Sequence, residues 1–234
     1  DMIYSQASNP TEFAKPNFDS QEQVYNSVFQ LLNEAIQLLE GPDNSGIKLG
    51  NEDLIYGGDF NKWLRAAYTL KARFQLHLVQ KGVTSASDVL TSIEKGFTSN
   101  ADNFMMIYPA DELNPWYQNT ILTRNTGNFY YAPCDQIISM MNGKSYPFES
   151  GLVEIDPRLP EIFQNEGNPG DPWRGAENGG DGTSSDGELA NTYFKEGGYY
   201  TSATSPLVLI TYAEAMFIKA EAAFLANGGT TTST

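Results

Sequence analysis

The sequence is poor in the residues that build disulfides and metal sites. It contains one cysteine, Cys134, and one histidine, His77, among 234 residues. A single cysteine excludes a disulfide framework or a four-cysteine zinc site within the chain. The two residues are the minimum for a thiol–imidazole pair, but a lone cysteine more often serves as a small buried apolar side chain, and we favour that interpretation.

Positive charge is also scarce, with 14 Lys and Arg against 29 Asp and Glu and a formal net charge of −15. This balance opposes binding to a nucleic-acid backbone or to an anionic membrane surface. No apolar run approaches the length of a membrane-spanning helix. The chain opens with Asp1 and shows no signal peptide.

Helical patterns are what the sequence does contain, and the clearest one begins at Tyr56. Gly57 and Gly58 allow a tight turn, Asp59 can cap the first helical turn, and Gly82 favours a stop. The predicted apolar stripe of this helix is Phe60, Trp63, Ala67, Leu70, Phe74 and Leu78. Caps and periodic apolar residues predict four further helices. They cover about 20–40, 87–96, 135–141 and 211–227.

Two segments resemble the SusD/RagB family of outer-membrane nutrient-binding lipoproteins. Tyr56–Arg73 resembles the family's Y-G-G-D…K-W segment and the helix that follows it, and Pro206–Ala222 resembles a late T-Y-A-E…K-A-E-A helix. Three weaker matches occur in the same order along the chain. They are Ile3–Ala7, Phe18–Tyr25 and Asp156–Pro160.

The resemblance implies a mainly α fold, a tetratricopeptide-like scaffold of helix pairs with long loop-rich insertions. We predict a single SusD-like domain over residues 1–234, incomplete at both ends, because family members are about twice as long. The helical scaffold should cover about 19–97 and 206–228, and the loop-rich ligand-binding part about 98–205. We therefore expect the chain to be an interior fragment of a family member.

The same resemblance implies a function without catalysis and without a cofactor. The protein would capture oligo- or polysaccharides on the extracellular face of the outer membrane. The glycan would then pass to a SusC-like TonB-dependent transporter. Membrane attachment would come only from an N-terminal lipid anchor of the full-length protein, which lies outside this chain.

Aromatic residues outside the periodic helices are the candidate ligand contacts. A sugar presents an apolar C–H face that packs on a flat ring, and sites commonly sit on loops over a rigid scaffold. The predicted ligand-binding residues are Trp116, Tyr117, Tyr130, Tyr131, Trp173 and Arg174. We expect them all in loops; the competing interpretation is that the rings pin the loops onto the scaffold.

Several alternatives stay open from the sequence. Buried loop rings would favour a peptide- or protein-binding scaffold, and two carboxylates facing each other across a cleft would favour a glycoside hydrolase. A structural calcium at Asp181, Asp186 and Glu188 is a further alternative, although the segment does not fit an EF-hand. Glu214 is predicted to complete a capping box, and Glu221 to pair with a basic helix such as 62–73. The identity of the glycan stays open, as does a peptide ligand.

Overall fold

A computed structural model describes residues 2–109, 111–145 and 154–230. The chain forms two compact units, one from residues up to 105 together with those from 208 onward, the other from residues 106–207. Residues 110 and 146–153 of the predicted loop-rich part lie outside the described residues. The single-domain assignment, and the incompleteness at both ends, remain predictions.

Helices dominate the described residues, which confirms the predicted mainly α fold class. The helices are α1 Gln21–Glu40, α2 Phe60–Val79, α3 Ala86–Ile93, α4 Pro115–Tyr117, α5 Thr123–Asn125, α6 Asp135–Met141, α7 Leu159–Ile162 and α8 Tyr212–Ala226. The strands are β1 Phe104–Met106, β2 Phe163–Asn165, β3 Thr192–Phe194 and β4 Leu207–Ile210. β1 pairs with β4, and β2 pairs with β3 in antiparallel register. None of the described helices is both long and apolar enough to cross a membrane.

Helices α1 and α2 begin at the predicted caps, whereas α3 ends at Ile93, before the predicted end near Gly96. The Ser20 hydroxyl accepts a hydrogen bond from the Gln23 N–H at the start of α1. The Asp59 carboxylate accepts from the N–H groups of Asn61 and Lys62 at the start of α2. Gly82 follows α2 with a φ of 69°, a left-handed conformation that glycine adopts without strain.

Helix α2 is buried on two sides, so the predicted single apolar stripe is wrong. Ala66 and Ala72 belong to a core that α2 shares with α3 and α8, whereas Ala67 and Tyr68 pack with Ile36 of α1. Small side chains let neighbouring helices approach closely on both sides. The stripe prediction weighted large apolar residues, of which Phe60 is exposed and Trp63, Leu70, Phe74 and Leu78 are only partly buried.

The Tyr56–Asp59 turn is held by one carboxylate. Asp53 accepts hydrogen bonds from the N–H groups of Ile55, Tyr56 and Gly58 and from the Trp63 indole at 2.7 Å. Gly58 has a φ of 83°, and a side chain there would overlap the carbonyl group of Leu49. The segment that is most distinctive in the sequence is therefore a structural turn.

An ion pair joins α2 to α8, and its carboxylate differs from the predicted one. The Arg73 Nε and Nη2 donate to the two oxygens of Glu214, both at 2.6 Å, whereas Glu221 is exposed. The Thr211 hydroxyl accepts from the Glu214 N–H as predicted, but the Glu214 carboxylate binds Arg73. The guanidinium offers the carboxylate two charge-assisted bonds and an opposite charge, whereas a capping-box backbone N–H offers a single bond, which explains the choice.

The second unit is built from short elements around a small core. Ile138, Met141, Leu159 and Phe163 are its buried apolar residues. Helix α6 has the predicted bounds, and β2 and β3 form a short ladder in which Phe163 lies opposite Phe194. Cys134 lies in this unit and His77 in the other, and the His77 Nδ1 lies 3.2 Å from the Tyr25 hydroxyl.

Candidate functional site

Trp116 and Tyr117 lie in a helical segment, which corrects the prediction that they lie in a loop. α4, a π turn over Gln118–Leu122 and α5 follow one another without a break. Buried Asn114 caps the segment: its side-chain oxygen accepts from the Trp116 N–H at 2.7 Å, and its amide nitrogen donates to the Ser205 carbonyl at 2.7 Å. Asn at the cap and Pro115 at the first helical position are helix-start signals that the irregular surroundings obscured.

The Trp116 indole has a packed side and an open side. Its ring centroid lies 5.7 Å from that of Phe194, which in turn lies 5.3 Å from Phe163 of the core. Even so, 44% of Trp116 remains exposed. The ring is therefore positioned by the core of the second unit while offering apolar surface to solvent.

Tyr131 shares a shallow cleft with Trp116. The Tyr131 N–H donates to the Asn119 carbonyl at 2.8 Å, and the Asn119 amide donates to the Pro115 carbonyl at 2.8 Å. These bonds fix the backbone beside two rings, although Tyr131 is 62% exposed. The cleft is lined by Pro115, Trp116, Asn119 and Tyr131 and encloses about 160 Å³.

A second cavity of about 330 Å³ follows directly along the chain, lined by Gly127, Asn128, Phe129 and Tyr130. Gly127 has a φ of 73°, and its N–H donates to the Arg124 carbonyl, so the turn is ordered. Phe129 is fully exposed at this turn. The predicted list omitted Phe129, although it belongs to the same Asn-Phe-Tyr-Tyr run as Tyr130 and Tyr131.

Behind Tyr130 lies a stacked and paired arginine. The Tyr130 and Tyr193 rings are 6.1 Å apart, and the Arg124 guanidinium carbon lies 4.3 Å from the Tyr193 ring centre. Arg124 also forms an ion pair with Glu166, which accepts a further bond from Gln164. Burial raises the pKa of the Tyr193 phenol, so it is a neutral hydroxyl at physiological pH.

The other predicted site residues lie elsewhere in the second unit. Trp173 packs against the core around Ile138, and its carbonyl accepts from the Asn142 amide at 3.2 Å. The Arg174 guanidinium pairs with Asp186 at 2.9 Å. Tyr117 is half-buried. The cleft thus brings together Trp116 and Tyr131, with Tyr130 on the second cavity; the contacts of Trp173 and Arg174 are those of loop anchors.

Within the part of the chain that the structure describes, no carboxylate lines either of these two cavities. In the acidic loop considered for calcium, two of the three carboxylates accept hydrogen bonds from protein donors. Asp181 accepts from the Thr183 hydroxyl, and Asp186 from Arg174. Across the described ranges, the structure holds no cluster of three or more His, Cys, Asp or Glu placed to bind a metal ion.

Comparison with protein-family models identifies the family to which the chain belongs. The model named SusD-like_2, described as "Starch-binding associating with outer membrane", matches residues 1–234. The chain belongs to this SusD-like family. The resemblance drawn from the sequence motifs is thereby confirmed, and the family description is that of a binding protein.

Solved structures show the same fold. A SusD/RagB family protein from Bacteroides thetaiotaomicron shares 26% identity, with a TM-score of 0.66 over 97% of this chain and 45% of that one. A SusD homologue from Bacteroides uniformis shares 23%, with a TM-score of 0.68 over 96% and 44%. A chitin-binding SusD homologue from Flavobacterium johnsoniae shares 22%, with a TM-score of 0.66 over 100% and 45%.

These matches confirm the tetratricopeptide-like helical fold. The chain spans about half the length of the solved structures that it matches. A search of curated proteins gave no match. The ligand-binding residues remain predictions.

Proposed function

We propose that this chain contributes to non-catalytic capture of a glycan, through a cleft formed by Trp116 and Tyr131. The observation that carries the proposal is that both rings are exposed while their backbones are fixed by hydrogen bonds. The Trp116 ring also packs on Phe194, so it loses little conformational freedom on binding and more of the contact energy appears as affinity. The family description as starch-binding supports a carbohydrate ligand.

The geometry suits contact with individual sugar rings along a chain. The cleft encloses about 160 Å³, whereas pockets for drug-sized ligands measure about 300–1,000 Å³. Trp116 and Tyr131 offer apolar faces, and the exposed Asn119 offers polar atoms for ring hydroxyls. Phe129 and Tyr130 would contact a neighbouring sugar at the second cavity.

The cellular setting is part of the same proposal. The full-length protein would be lipid-anchored on the extracellular face of the outer membrane and would deliver its glycan to a SusC-like TonB-dependent transporter. The family description as associating with the outer membrane supports this setting. Co-purification of a TonB-dependent channel with the tagged full-length protein, from detergent-solubilised outer membranes of the native host, would test the partnership.

The alternatives receive less support from the geometry. A glycoside hydrolase needs two carboxylates across the scissile bond, and the described residues that line the cleft are Pro115, Trp116, Asn119 and Tyr131, none of them acidic. A peptide-binding scaffold was the expectation for buried loop rings, but Trp116, Tyr130 and Tyr131 are exposed. Peptides nevertheless enter the binding test as a competing ligand class.

Titration calorimetry and tryptophan fluorescence with malto-oligosaccharides, chito-oligosaccharides and a peptide digest would test the proposal. We expect saturable binding of one glycan series. Trp116→Ala and Tyr131→Ala should weaken it about tenfold or more, because aromatic anchors at the centre of a site carry most of its energy. Phe18→Ala is the matched control, because Phe18 is an exposed ring of the other unit.

Two outcomes would contradict the proposal. The first is glycan binding that Trp116→Ala and Tyr131→Ala leave unchanged, which would place the site elsewhere. The second is binding of peptides in place of glycans, which would assign the rings to a different ligand class.

A further inference from the structure

We propose that this cleft selects uncharged glycans and discriminates against acidic ones, such as uronate-containing or sulfated polysaccharides. The inference rests on the proposed glycan-binding function and names the class of glycan that the site accepts. It follows from the lining of the two cavities, from the partners of the nearby cations, and from the charge of the second unit.

Among the described residues, those that line the two cavities are uncharged. The eight residues are Pro115, Trp116, Asn119, Gly127, Asn128, Phe129, Tyr130 and Tyr131. Their polar atoms are amides, phenols and backbone groups, which suit the hydroxyls and acetamides of neutral sugars. A carboxylate or sulfate bound here would lose water without gaining a counter-ion.

The cation closest in sequence to the cleft is Arg124, which follows Asn119 by five residues on the same helical segment. Its guanidinium is stacked on Tyr193 and paired with Glu166, and only 19% of the side chain is exposed. Arg124 therefore supports the ring behind Tyr130 and has its charge neutralised within the protein.

The remaining cations of the second unit are also engaged by oxygen atoms. Lys144 donates to the Ser185 hydroxyl, Arg158 pairs with Asp156, Arg174 pairs with Asp186, and Lys195 donates to the Pro160 carbonyl. Recognition of acidic groups commonly depends on arginine or lysine whose donors face the ligand. The five cations among residues 106–207 instead form contacts within the unit.

The net negative charge of the second unit also disfavours acidic glycans. Residues 106–207 contain 14 Asp and Glu against five Lys and Arg, a formal charge of −9. A polyanionic glycan approaching the cleft meets this repulsion over roughly 8 Å at physiological ionic strength. Added salt would screen the long-range repulsion, but it would not supply the missing counter-ion at the rings.

The test compares matched neutral and acidic oligosaccharides by calorimetry at low and high salt. Malto- and chito-oligosaccharides are the neutral probes, and oligogalacturonate and heparin oligosaccharides are the acidic ones. We expect acidic probes to bind roughly tenfold or more weakly than the best neutral probe. The difference in affinity between acidic and neutral probes should shrink with added salt but persist at about 0.5 M salt, where the Debye length is only a few ångströms.

Glu166→Gln tests the role of the paired arginine. The change removes the carboxylate that neutralises Arg124, so the ratio of acidic to neutral affinity should rise several-fold. Glu177→Gln is the matched control, because it makes the same charge change at an exposed residue outside the ion pairs of the described residues. An equal rise in both variants would assign the selectivity to net charge and overturn the role of Arg124.

The outcomes separate this inference from the proposed function. Acidic probes that bind the unmodified protein as tightly as neutral ones, with the binding lost in Trp116→Ala, would overturn the selectivity and keep the glycan site. Failure of every glycan to bind the full-length protein would overturn the proposed function and the selectivity with it.

Discussion

Two aromatic clusters, one in each unit, are arranged in opposite ways. In the first unit, the rings of Tyr56, Trp63 and Phe104 pack on one another, with Trp63 5.3 Å from Tyr56 and 5.5 Å from Phe104. In the second unit, Trp116 and Tyr131 are exposed on a cleft. The polar atoms of the first cluster are also satisfied by the protein: the Tyr56 hydroxyl and the Trp63 indole donate hydrogen bonds within the first unit.

This difference separates scaffold rings from candidate binding rings. A ring whose faces and polar atoms are both satisfied by the protein contributes to stability and has little left for a ligand. A ring that is held on one side and open on the other retains that capacity. The most recognisable motif, around Tyr56, belongs to the scaffold, whereas the rings that we assign to the ligand lie outside it.

Replacing one tryptophan in each unit is the most direct way to break this comparison. Trp63→Ala should lower the free energy of unfolding by about 3 kcal/mol, because it removes a packed ring and leaves Asp53 without a donor. Trp116→Ala should cost about 1 kcal/mol or less, since the residue is 44% exposed. Urea denaturation followed by circular dichroism would measure both.

Glycan affinity should show the reverse order in the same pair of variants. Trp63→Ala should leave the affinity of the folded protein unchanged, and Trp116→Ala should reduce it. A large loss of stability in Trp116→Ala with no loss in Trp63→Ala would invert the assignment of scaffold and binding rings.

The glycine pair before α2 sharpens the structural side of the comparison. Gly58→Ala should cost about 3 kcal/mol, since φ is positive and the new methyl group would overlap the Leu49 carbonyl. Gly57→Ala is the matched control: φ is also positive, at 61°, but the space beside it is open. It should cost only about 1–2 kcal/mol. Equal melting temperatures for the two variants would contradict the close approach at Gly58.

Asp102 makes the stability of the first unit depend on pH. Its buried carboxylate accepts from the Thr98 N–H and hydroxyl and from Arg65. Burial alone would raise the pKa of Asp102, but these bonds outweigh it and hold the pKa below the ordinary value of 3.8. The stabilisation is therefore complete above that ordinary pKa and is lost as the pH falls through the lower folded-state pKa.

Asp102→Asn should accordingly cost about 2 kcal/mol at pH 7. The difference in free energy of unfolding between the variant and the unmodified protein should become smaller below about pH 4, because Asp102 of the unmodified protein then becomes protonated. Denaturant titrations between pH 3 and 7, a range chosen around the ordinary pKa of Asp and Glu, would measure the gap. Arg65→Met is the control, and it should cost less because the Thr98 bonds remain. A gap that is constant with pH would show that the carboxylate charge does not carry the effect.

Much of the fold was predictable because its signals are local. Capping residues such as Ser20, Asp59 and Thr211 act within one helical turn, so their roles can be read from neighbouring residues. Packing between distant segments is different. The sequence could not show that α2 is buried on two sides, or that Arg73 selects Glu214 over Glu221, because both depend on which helices meet.

The sequence predicted the kind of candidate site, a set of exposed rings, better than it predicted which rings form it. Non-periodic rings indicated Trp116, Tyr130 and Tyr131, which the structure exposes at two cavities of the second unit. Trp173 has the same sequence context, yet it packs on the core of its unit. Exposure is a property of the folded surroundings, so composition and spacing alone could not separate these rings.

Phe129 provides the smallest and most selective test of the comparison. Phe129→Ala should change the free energy of unfolding by less than about 0.5 kcal/mol, because the side chain is fully exposed at an ordered turn. Its affinity for longer oligosaccharides should fall about two- to fivefold, a modest loss expected of a contact at the edge of a site. Affinity for the shortest ligand that fills the Trp116 cleft should stay the same.

Calorimetry with a series of oligosaccharides of increasing length would measure these affinities, with Phe18→Ala as the exposed-ring control. An equal loss at every length would place Phe129 inside the first cleft, and no loss at any length would remove the second cavity from the site.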